Sequence, residues 1–343
     1  MASPVEERRN PPLEVEGPPP LVVFEMLVDR EWTRLARPGT WWTAGERLAI
    51  AADARRAAGG EPLSGVLPGP VEEATRRLAV DASTVRGIDV ARWEHEGLAG
   101  FPYVEVVGIV SRVVGLDVTA FGLDQKAPLL PEPEAGEPTR QRGEGAALTT
   151  GWAPTVGPTD AVSSLSAVPA EAEAMFDLQR SLYLTIDEMA EPRVERNGLT
   201  RAQMELVAAR TAALCRCAHG LLEHTAMLRA GASIGKATLV PGPIVRGVGD
   251  TGIHHGAAIT AFVDAVVLRD EEEIDGARAT LEEALGSAST DRVAMIAGNF
   301  SMVSRVLDAV GAPIDPRLAP LAAEMGITIP DHLAAGRGRS VAR

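Results

Sequence analysis

Apolar residues recur at three- and four-residue spacing along most of the chain, the signature of amphipathic helices. The stretch 21–37, LVVFEMLVDREWTRLAR, fits either one helix or a strand turning into a helix. Thr43 and Glu46 form a capping-box pair ahead of RLAIAADARRAA, and Gly59 with Gly60 closes it. VEEATRRLAVDAS, IDVARWEHEGL and YVEVVGIVSRVVGLDVTAFGL keep the helical period. Between 125 and 169 proline, glycine, glutamate, serine and threonine take over, a linker composition with Trp152 as its one aromatic residue. The period resumes in AEAEAMFDLQRSLYL and continues beyond a second capping pair, Thr200 with Gln203. A Gly/Pro/His loop at 231–256 precedes AAITAFVDAVVLRD, GARATLEEALG and DRVAMIAGNFSMVSRVLDAVGAPID, all at helical spacing. The pattern predicts an all-α protein.

The two helical regions echo each other. VGIVSRVVGLDVTAFGLD, ending at Asp124, matches IAGNFSMVSRVLDAVGAPID, ending at Asp315, and a Thr-capped helix opens each region. A duplicated helical unit follows, with a first repeat at 19–124, the linker at 125–169 and a second repeat at 170–333. Residues 1–18, rich in proline and charge, read as a disordered arm, and the basic stretch 334–343 as a frayed tail.

Composition narrows the picture. Of 343 residues 45% are apolar and 4% aromatic, enough for a core packed from alanine, leucine and valine. The net charge of -14 repels phosphates, so no nucleic-acid partner is expected. No apolar run reaches membrane length and no apolar h-region follows the first residues, so no membrane partner and a cytoplasmic location are expected. Two cysteines one residue apart do not make an ordinary structural crosslink.

The chemistry is concentrated at 205–224, ELVAARTAALCRCAHGLLEH. Both cysteines, Cys215 and Cys217, lie there with Glu205, His219 and His224, groups that move protons, attack peroxides or bind metals near neutral pH. Each also has a plain reading. Either cysteine fits a core position of an Ala/Leu-rich helix, and Glu205 fits a solvated first-turn carboxylate. His254 and His255 stand in the Gly-rich loop, as pocket residues or as surface. Tyr183, Trp93 and His95 occupy packing or surface positions. Cys217, His219 and His224 supply N and S donors for zinc or copper, but their spacing matches no strong metal motif, so no metal is expected.

Glu205, Cys217, His219 and His224 together resemble the alkylhydroperoxidase D and carboxymuconolactone decarboxylase superfamily. Its motif has a Glu, a Cys twelve residues on, a His two beyond that, a second Cys next, and a His four further. Here Gly220 stands at the second cysteine. Cys215, five positions away, is the candidate second thiol. In the first repeat the matching window, ARRAAGGEPLSG, has neither cysteine nor histidine, and the repeat reads as a degenerate copy.

The resemblance implies a duplicated helical bundle of the alkylhydroperoxidase D-like type, assembled as a homo-oligomer, dimer or trimer. It implies a thiol-dependent, antioxidant peroxidase chemistry, with Cys217 as nucleophile, His219 and His224 as proton shuttles, and Glu205 orienting an imidazole. No cofactor is expected beyond an external thiol reductant, small molecule or protein, to resolve an oxidised Cys217. The alternatives are a non-redox acid-base enzyme of the carboxymuconolactone decarboxylase type, acting on a small organic acid, and a binding or assembly protein whose pocket has decayed.

Overall fold

The computed structural model describes residues 13–15 and 17–334. Its first part holds α1 (Pro20–Leu35), α2 (Ala44–Ala58), α3 (Gly69–Asp81), α4 (Gly87–His95) and α5 (Gly100–Gly122). The ambiguous stretch at 21–37 is thus helical. Pro20 sits in its first turn, where a missing N–H costs nothing, and Phe24, Leu27 and Leu35 face the core at helical spacing. The second part holds α6 (Pro169–Leu182), α7 (Ile186–Ala190), α8 (Arg201–Leu214), α9 (Ala218–Ile234) and α10 (Gly242–Arg246). It continues with α11 (Gly256–Leu268), α12 (Ile274–Leu285), α13 (Ser287–Val310) and α14 (Ala319–Glu324). Both Thr caps form. The Glu46 N–H donates to Thr43 Oγ1 at 3.4 Å, and the Gln203 N–H to Thr200 Oγ1 at 3.3 Å, each with the reciprocal bond.

The two long helices α5 and α13 cross at the centre of the molecule, buried on nearly every face. Glycines make the approach close enough. A Cβ on Gly115 would stand 2.9 Å from the Gly298 carbonyl oxygen, and one on Gly298 would stand 2.6 Å from the Gly115 oxygen. α13 has the length and apolar character of a membrane span, yet 94% of its most apolar window is buried inside the protein, as befits a core helix. A buried ionic cluster ties α1, α2 and α5 to α6. Arg112 holds Glu31 at 2.6 Å and also pairs with Glu171, which Arg47 meets at 3.3 Å.

Short strands add to the helices. β1 (Leu13–Val15) runs parallel to β4 (Val194–Arg196), which pairs antiparallel with β5 (Leu199–Thr200). A second pair joins β2 (Ala147–Leu148) and β3 (Pro154–Thr155). The composition of the expected arm argues against a packed core but not against backbone pairing, and Leu13–Val15 is held by the ladder. The rest of the arm, 1–12 and 16, and the tail from 335 lie outside the described residues.

The segment of linker composition lies flat against both parts. The Trp32 indole donates to the Leu129 carbonyl at 2.5 Å, and the Glu134 N–H to the Ala36 carbonyl at 2.7 Å. Further on, the Trp152 indole donates to the Ala309 carbonyl at 2.6 Å, while Ala153, Leu165, Ala167 and Val168 are buried.

Candidate functional site

The sequence cluster at 205–224 folds as two antiparallel helices with a tight break. α8 ends at Cys215, Arg216 takes a left-handed conformation at φ 58°, and Cys217 caps α9. Alanines at 208, 209, 212 and 213 keep α8 slim enough to be surrounded by α9, α11 and α13, so that every residue from 203 to 212 is buried. The hairpin turns Glu205 toward the middle of α9.

There Glu205 meets His224. Oε2 of Glu205 lies 2.7 Å from His224 Nδ1, while Oε1 accepts from the Tyr183 hydroxyl at 2.5 Å and from Arg201 Nε at 2.6 Å. The carboxylate is wholly inaccessible, so the solvated first-turn reading of Glu205 does not hold. Burial pushes this carboxyl up. The His224 hydrogen bond and charge, with Arg201 and Tyr183, outweigh it and hold the group below the ordinary carboxylate range. Because an ionised carboxylate only accepts, the proton lies on Nδ1, which leaves Nε2 as the basic nitrogen. Phe300 packs edgewise at 4.2 Å from the His224 ring centre and 4.9 Å from that of Tyr183, fixing both rings. His224 keeps 13% of its side chain exposed, an opening for proton exchange.

The cysteines belong to a different neighbourhood. Cys217 is fully buried, with the Gly220 N–H donating to Sγ at 3.4 Å. A helix N-terminus favours a thiolate, but burial and then the adjacent Asp308 carboxyl push the Cys217 thiol well above its ordinary value. Cys215, half-buried, lies 4.0 Å from Arg305 Nη1, and burial raises its thiol too despite that cation. Asp308 is itself pushed up to about 8, by burial first.

His219 points elsewhere again. Five residues from His224 on one helix, it is rotated by well over a quarter turn. Its Nδ1 lies 3.3 Å from the Ala312 carbonyl, and its Nε2 lies 3.7 Å from Glu223. His219 lines a cavity of about 440 Å³ with Asp160, Val162 and Ile314. Cys217, His219 and His224 therefore do not converge, and among the described residues no three ligating side chains form a metal-binding group. His254 is exposed and stacks edgewise on His255 at 3.8 Å, and its carbonyl accepts from the Gln203 side chain at 3.1 Å. Neither ring reaches the Glu205 cluster.

Tyr183, read from its spacing as a packing or surface residue, and Arg201 are the residues of the Glu205 cluster that the sequence pattern does not single out. Arg201 stands one turn before Glu205, an i,i+4 pairing visible in the sequence. Tyr183 reaches Glu205 through the tertiary fold and leaves no local signal. Comparison with models of protein families, with characterised proteins and with solved structures returns no match.

Proposed function

We propose that this chain is an acid-base enzyme on a scaffold similar to that of the carboxymuconolactone decarboxylases, in which His224 moves a proton on a small organic acid. The carrying observation is the 2.7 Å pair of Glu205 and His224, with the carboxylate separately fixed by Tyr183 and Arg201. Such a carboxylate fixes the tautomer, orients the ring and stabilises the imidazolium formed when Nε2 takes a proton. In this reading Cys217 fills space, its thiol buried beside a carboxyl.

Proton exchange at the carbon adjacent to the ketone of small keto acids in deuterated water, followed by NMR, tests the proposal. Wild-type chain and Cys217→Ser should exchange alike, whereas His224→Gln should lose about a hundredfold or more in rate. Exchange lost with Cys217→Ser and kept with His224→Gln would overturn it.

The peroxidase reading keeps one observation of its own, the Gly220 N–H donated to Cys217 Sγ at the start of α9. It calls for an external thiol reductant, because no second cysteine follows at 220. The same resemblance brings a homo-oligomer, which light scattering on the full chain would test.

A further inference from the structure

Where the end of α8 meets α3, α11 and α13 there is a cavity of about 370 Å³, which shares no residue with the Glu205 cluster. Its floor is polar: Cys215, Arg305 and Asp308. Two atoms beneath that floor stand out. Arg305 Nε and Asp308 Oδ2 are both buried without a hydrogen-bond partner, and the Asp308 residue is only 7% exposed. The Nη atoms of Arg305 donate to the carbonyls of Ser301, at 2.7 Å, and Ala79, at 3.3 Å, so this cation spends its contacts on neutral acceptors. Val80, Leu214 and Leu268 form apolar walls. At the rim Arg216 pairs with Asp81 at 2.9 Å across the two parts of the chain.

Orphaned buried polar atoms are costly, and a small polar-floored cavity with apolar walls is the usual form of a ligand site. We propose that this cavity binds a short-chain monocarboxylate, its carboxylate against the Arg305 guanidinium, its alkyl tail against Val80, Leu214 and Leu268. The charged head gives Arg305, whose oxygen partners are neutral carbonyls, an anionic acceptor. Asp308, pushed up to about 8 by burial, is protonated at neutral pH and sets no negative charge against the carboxylate. A dianion such as phosphate fits worse, because Val80, Leu214 and Leu268 offer its remaining oxygens no donor. The volume accommodates one small molecule of a few carbons.

Isothermal titration of the full chain with hexanoate, 1-hexanol and inorganic phosphate at neutral pH tests the site. Hexanoate should bind, more tightly than either control, and should slow alkylation of Cys215 by N-ethylmaleimide, read by peptide mass. Arg305→Gln should weaken hexanoate about tenfold or more, the loss of one charge-assisted hydrogen bond. Should that variant unfold, Val80→Trp, at a position 57% exposed at the mouth, closes the cavity from outside and should abolish both binding and protection. No binding of hexanoate to the wild-type chain, binding unchanged in Val80→Trp, or equal affinity for 1-hexanol or phosphate would each overturn the proposal.

Discussion

Glu205 carries its charge where no water reaches it, and three donors take the place of solvation. Removing one of them leaves the carboxylate short. Tyr183→Phe should cost roughly 1.5 to 3 kcal/mol of stability, measured by urea denaturation at neutral pH, because the lost hydrogen bond is to a charged group. The pH dependence at this residue has a definite sign. A carboxyl held below its unfolded value binds fewer protons folded than unfolded. Its contribution is present above the unfolded pKa and disappears as pH falls through the folded one. Glu205→Gln should therefore flatten the loss of stability on acidification below the ordinary carboxylate range, seen by comparing denaturation curves of the two proteins. Asp308 works in the opposite direction. Raised to about 8, it binds more protons folded than unfolded, so it favours the fold in acid and that contribution fades as pH climbs to about 8. Asp308→Asn should gain stability relative to wild type as the pH rises toward 8, with the two converging in acid.

The α8–α9 hairpin decides which side chains meet, and part of it was legible. The Thr200 and Gln203 cap set the start of α8, and the spacing from Glu205 to His224 is enough for a carboxylate to face an imidazole once the chain reverses. The separation of His219 from His224 was also present, as five residues on one helix, but knowing which of them turns inward requires the partners of α9. Asp308 and Arg305 join the cysteines from α13, some ninety residues on, and no periodicity announces that. One local signal went unread: Asn197 and Gly198, both at positive φ, form the two-residue turn between β4 and β5, a strong hairpin mark inside VERNGLT. The glycine at 220 offers a direct test of the turn that starts α9. A Cβ there would stand 3.6 Å from Cys217 Sγ and 3.3 Å from the Ala212 Cβ, close to a thiol and only slightly crowded. Gly220→Cys should form a disulfide between Cys217 and the introduced thiol on mild oxidation, measured as the loss of two titratable thiols recovered on reduction.

At the scale of the molecule, the Gly115 and Gly298 contact locks the first part of the chain to the second. Gly298→Val should cost about 1 to 3 kcal/mol or more in urea denaturation, since the added carbons press on the Gly115 carbonyl oxygen and on the buried Thr119 side chain. The helical period was readable because each helix is patterned by its own residues. The crossing was not, because α5 and α13 are buried on nearly every face and carry no single apolar stripe that points toward one particular partner. The same crossing governs the order of events during synthesis. α5 is complete at Gly122, but α13 begins only at Ser287, and at roughly 5 to 20 residues per second the wait is on the order of 10 to 30 s. For that interval the most apolar helix of the first part emerges from the ribosome without its partner. The newborn chain depends on whatever shields that surface until the second part arrives.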